Sequence, residues 1–117
     1  MDFGDCISAH EQWKTRLTLL LRGESSEALD PLRIAKDDQC PLGRWIHGEG
    51  QQLYGAHGVF LGLRDRHALF HRCAGEVVRK FLAGDLDGAR QQLAGDFARL
   101  SSETIRAIAK LRQLTGS

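Results

Sequence analysis

This sequence predicts an all-α fold, an antiparallel four-helix bundle with a short extra helix near its middle. Three observations lead there. Apolar residues recur three and four apart along most of the chain, no stretch alternates as a half-buried strand does, and Gly, Asp, Ser or Pro clusters separate the periodic segments. The length of 117 residues and the 42% hydrophobic content suit one core, so a single domain over residues 1–117 is expected.

The first helix follows from Phe3, Cys6, Ile7, His10, Trp13, Leu17, Leu20 and Leu21, whose spacing gathers them on one face, and Gly23 is its stop signal. A short helical piece spans Ala28 to Ala35, interrupted or opened by Pro31, and Asp37-Asp38-Gln39 reads as a turn. Cys40-Pro41 reads as an N-cap followed by proline at the first helical position, where its missing N–H costs nothing. The short helix it opens carries Leu42, Trp45 and Ile46 and ends by Gly48 or Gly50. A long segment from about Ala56 to Ala83 places apolar or His residues at 60, 63, 67, 70, 74, 77 and 81, a bundle-type seam. Gly84 and Asp85 stop it and cap the last helix, whose stripe is Leu86, Leu93, Phe97, Leu100, Thr104, Ile108 and Leu111. Gly62, Gly75 and Gly95 fall inside helices, each costing about 1 kcal/mol relative to Ala unless close packing uses the missing side chain.

Composition excludes several functions. Sixteen Lys and Arg against 15 Asp and Glu leave a net charge of +1, without the basic field of a nucleic-acid binder or a polybasic membrane anchor. The longest apolar run, Leu17 to Leu21, falls far short of the roughly 20 residues of a membrane span. The start, Met-Asp-Phe-Gly-Asp, does not read as a secretory signal, so a cytoplasmic location is expected. Three cysteines are too few for a disulfide framework, and reduced thiols are expected.

The chemistry lies in the histidines. His10 and His67 occupy core-facing slots, where an unsatisfied imidazole costs roughly 1–3 kcal/mol. His71 follows His67 by one turn on the same face, close enough for both rings to reach one ion. Cys40 stands at a helix start, where free N–H groups and the helix dipole favour the thiolate, which is the metal-binding form. Three nitrogens and one sulfur suit tetrahedral zinc. The competing reading makes Cys40 a small buried hydrophobe and the His-x-x-x-His pair a structural or surface feature.

Taken together, His10-Glu11-Gln12-Trp13-Lys14, Cys40-Pro41-Leu42-Gly43-Arg44-Trp45-Ile46-His47-Gly48-Glu49-Gly50 and His67-Ala68-Leu69-Phe70-His71 resemble the chemoreceptor zinc-binding (CZB) domain family. The resemblance implies a helical bundle that pairs as a homodimer and holds Zn2+ through His10, Cys40, His67 and His71. It also implies a regulatory or sensory module, responding to zinc availability or to hypochlorous acid oxidation of the ligand cysteine. Such a module signals to a bacterial partner such as a chemoreceptor or a diguanylate cyclase. Family members usually ride on such output domains, whereas here the module stands alone, so action in trans is expected.

A zinc with four protein ligands leaves no position for water or substrate, and no nucleophile, base and orienting group are legible, so the expectation is a non-enzyme. The alternatives are a structural or adaptor bundle with a permanent zinc staple and a metalloenzyme in which Cys40 is displaced. Trp13, Trp45, Phe60, Phe70 and Phe97 read as core, while His47, His57 and Glu11 read as exposed. Cys73 points away from the site. Cys6, one turn before His10, reads as buried filler, with a resolving thiol or substitute ligand as the second reading.

Overall fold

The computed structural model describes residues 1–116, and it is helical throughout, with no strand among them. Helix α1 is Phe3–Leu21, and Asp2 caps it by accepting the Asp5 N–H. Helix α2 covers only Pro31–Ile34, shorter than the Ala28 to Ala35 span expected. Asp30 caps it through the Leu32 N–H and Pro31 takes the first position, so it begins there. Helix α3, Pro41–His47, starts directly after Cys40 as expected. Helix α4, Glu49–Tyr54, has no counterpart in the sequence reading. Its residues carry no apolar stripe, and it is anchored where Gly50 meets Trp45, whose ring would lie 2.8 Å from a Cβ at position 50.

Helix α5 runs over Gly58–Leu82. The last segment is helical without a break from 86 to 115, divided into α6 (Leu86–Gln92), a π turn (Leu93–Phe97) and α7 (Ala98–Thr115). The π turn was not foreseen. It inserts a wider coil into the expected single helix.

Two apolar clusters reveal how the chain runs. One joins Leu17, Leu20 and Leu21 at the end of α1, Ile34 of α2, Phe70 to Val78 in the later part of α5, and Ala89, Phe97 and Leu100. The other joins Phe3 and Cys6 at the start of α1, Leu42 and Ile46 of α3, Phe60 and Leu63 early in α5, and Ile108 and Leu111 late in α7. Helices α1 and α5 therefore point the same way, the last segment points against both, and α2 with α3 forms a broken return limb. That limb corresponds to the two short helical pieces, parted by the Asp37-Asp38-Gln39 turn, that the sequence led us to expect.

Phe60, Phe70 and Phe97 are fully buried, as expected. Trp13 and Trp45 are only half-buried. Trp13 packs on the first cluster from outside and carries the Arg16 guanidinium 3.9 Å above its ring, an amphipathic position that an apolar face count does not distinguish from core. Gly75 has the packing reason its helical position requires, since a Cβ there would lie 2.7 Å from the Pro31 carbonyl oxygen and 2.9 Å from Ala35 Cβ. Gly62 and Gly95 have no such neighbour.

Candidate metal centre

Between the two apolar clusters lies a polar layer. Among the described residues the buried polar ones are His10, His67, His71, Ser101 and Thr104; His10 on α1, His67 on α5 and Ser101 and Thr104 on α7 fall between residues of one cluster and residues of the other, and His71 lies just inside the first, between Phe70 and Cys73. Three imidazoles, 2%, 0% and 4% exposed in chain order, meet the sulfur of Cys40 there. Cys40 is the half-buried member of the four.

Ligand-type atoms of His10, Cys40, His67 and His71 all lie within 4.8 Å of one another. His67 Nε2 is 3.0 Å from His71 Nε2, and Cys40 Sγ is 3.3 Å from His67 Nε2 and 3.6 Å from His71 Nε2. A tetrahedral zinc with bonds of about 2.0–2.3 Å sets its donor atoms about 3.3–3.8 Å apart, so the His67, His71 and Cys40 contacts already match those edges within about 0.3 Å.

Hydrogen bonding fixes which atoms face the centre. The Cys6 carbonyl, 2.7 Å from His10 Nδ1, can only accept, so Nδ1 carries the proton and Nε2 presents a lone pair. His10 Nε2 is buried without any partner. The Ile34 carbonyl fixes His71 in the same way, 3.0 Å from its Nδ1, leaving Nε2 as the inward lone pair. Helix α2 is thereby tied to the site through its last residue. Lone pairs that converge in an apolar interior repel and lose hydration unless a cation or proton lies between them. The donor set therefore fits a divalent ion that accepts nitrogen and sulfur, with His10 Nε2 as the orphaned atom such an ion would satisfy.

Electrostatics agree for the imidazoles and correct the sequence reading for the thiol. Burial, joined by the neighbouring His71 and His10, pushes His67 down to about 2, and burial with His10 pushes His71 down to about 4. Burial also lowers His10. All three are neutral near pH 7, the state that ligates. A helix-start position was expected to favour the Cys40 thiolate, but burial raises this thiol despite the Gly43 N–H donating to Sγ at 3.3 Å. Without a metal, Cys40 keeps its proton.

Gly43 allows Cys40 to reach the site. A Cβ at position 43 would fall 1.7 Å from the Asp37 carbonyl oxygen, so the turn before Cys40 packs directly on the α3 backbone. Sequence reasoning did not single out this glycine for that role, nor the two carbonyls that orient the imidazoles, because backbone acceptors leave no mark in residue types. Glu11, His47 and His57 are exposed, as expected. His47 pairs with Asp37 at 3.0 Å, and His57 caps α5 through the Val59 N–H. Cys73 lies in the first cluster, where Gln92 Nε2 donates to it at 3.4 Å.

Helical scaffold and donor cluster together define a metal-binding helical domain. The family model described as the chemoreceptor zinc-binding domain matches residues 10–78, more than half of the chain, from His10 past His71. The chain belongs to that family. No curated protein and no solved structure matches it.

Proposed function

We propose that this chain is a zinc-binding regulatory module in which His10, Cys40, His67 and His71 hold the ion, and that it responds to zinc availability or to oxidation of Cys40. The observation that carries this reading is the convergence of donors from α1, α5 and the turn before α3, with the sulfur as the most accessible of them. Bound there, zinc would supply a cross-link between these elements and hold Cys40 as a thiolate. Four protein donors fill a tetrahedron and leave no site for substrate, which supports a non-catalytic role.

The surroundings favour a sensor over a permanent staple. Apolar clusters pack on both sides of the site without including the three imidazoles, so much of the fold has its own cohesion, and loss of the ion would act mainly on the turn around Cys40 and on α2. A groove of about 480 Å³, lined by Trp13, Arg33, Cys40 and His71 among others, brings solvent to the sulfur. Among the described residues no helix is long and apolar enough to cross a membrane. Family membership supports a module that pairs as a homodimer in the cytoplasm and signals to a chemoreceptor or a diguanylate cyclase.

Metal analysis of protein purified without added zinc tests the reading. About one equivalent per chain is expected, falling below about a tenth in Cys40→Ser, with helix content largely retained after chelation. Absence of zinc from the wild type would overturn the metal site. Global unfolding on chelation would replace the sensor by the staple.

A further inference from the structure

One buried nucleophile remains without a role. Cys6 is 6% exposed, lies one turn before His10 on α1, and lends its carbonyl to His10 Nδ1. Cys6 and Cys40 line the same cavity of about 390 Å³, together with His10, Pro41 and Leu42. Both cysteines also belong to the second apolar cluster, Cys6 as a buried member and Cys40 packed against it. Cys73, in the first cluster, is separated from them.

We propose that Cys6 is the resolving thiol of this site, forming an intrachain disulfide with Cys40 across the shared cavity after Cys40 has been oxidised. The proposal rests on the reading of Cys40 as the oxidisable zinc ligand. Accessibility sets the order of events. Cys40 sits on a turn and is half-buried, whereas Cys6 is enclosed.

The chemistry balances with a two-electron oxidant such as hypochlorous acid. In the first step the Cys40 sulfur, as the thiolate, gives two electrons to the oxidant, and thiolate plus hypochlorous acid yields sulfenic acid and chloride. In the second, an electron pair of the Cys6 sulfur attacks the Cys40 sulfur, the S–O bond breaks, and the hydroxyl leaves as water with the Cys6 proton. An S–S bond needs the two Cα atoms within about 4.4–6.8 Å, so its formation reports that the turn carrying Cys40 closes on α1. The bond would halt oxidation at a stage that thiols reverse, before the sulfinic acid.

The test uses the full chain, with zinc content measured first, treated with an equimolar amount of hypochlorous acid, alkylated and mapped as peptides without reduction. A Cys6–Cys40 linked pair is expected, with Cys73 alkylated, and zinc content should recover after treatment with a thiol reductant. In Cys6→Ser, and in Cys6→Ala as a second variant, a sulfenic-acid trap should label Cys40, and recovery of zinc should fall below about half of the wild-type value as sulfinic acid accumulates. Free Cys6 beside an oxidised Cys40, or a bond joining two copies of the chain, would overturn the proposal. Low zinc before treatment would instead refute the metal reading, whichever disulfide forms.

Discussion

Loading the metal-free domain with zinc at pH 7 should release about one proton per ion, and that proton should come from Cys40. The count follows from the environment of each donor. Burial holds His67 at about 2 and His71 at about 4 and lowers His10, so the imidazoles have no proton to lose. It moves Cys40 the opposite way, leaving a thiol that must ionise before it can bind. Between about pH 6.5 and 8 the apparent affinity should therefore rise about tenfold, or about 1.4 kcal/mol, per pH unit. Titration calorimetry in two buffers of different ionisation enthalpy measures the number directly, and Cys40→Ala should bring it close to zero in whatever binding persists. A wild-type count near zero would show that the thiolate preexists. A count of two or more would show that an imidazole is charged in the metal-free protein, and either result would refute the reasoning.

Three further outcomes are expected. Metal-free stability should be level between about pH 6.5 and 8 and fall as the pH drops from there towards about 4, because the unfolded chain takes up protons that His67 and His71 refuse when folded; denaturant titrations across this window should show a slope of up to about 1.4 kcal/mol per pH unit for each imidazole. Gly43→Ala forces the Asp37 carbonyl aside, so melting should show a loss of about 1–3 kcal/mol and competition with a chelating dye should show weaker zinc binding; unchanged affinity would mean that the turn does not position Cys40. Gly62→Ala meets nothing within 4 Å inside α5 and should stabilise the domain by about 0.5–1 kcal/mol in urea titrations, whereas a loss would show that this face packs against something outside the isolated chain.

Legibility in the sequence varied with the kind of interaction involved. Spacings of three and four revealed α1, α5 and the final helical segment because each buries one stripe, and Cys40-Pro41 revealed the start of α3 because cap chemistry is local. Glu49–Tyr54 gave no such signal, since its anchoring depends on a glycine beneath a tryptophan ring. The π turn was equally hidden, because the stripe around Leu93 and Phe97 reads as an ordinary helix. At the site, the residue types and intervals pointed to His10, Cys40, His67 and His71, and the fold brings all four together. The protonation state of Cys40 was misjudged from its helix-start position alone, because burial is a tertiary property and outweighs the local field. The carbonyls of Cys6 and Ile34, which set the tautomers, could be seen only once the chain was folded.

The layered interior has a mechanical consequence. Two oily stacks are separated by a band of nitrogen and sulfur, and α1, α5 and the last segment run through both, so the band is where these helices meet through polar atoms alone. Filling the band would lock α1 and α5 at a common height, and emptying it would let these codirectional helices slip or rotate past one another with little repacking at either end. A message written at four atoms could thus leave the domain as a change in the relative pitch of its two longest neighbours.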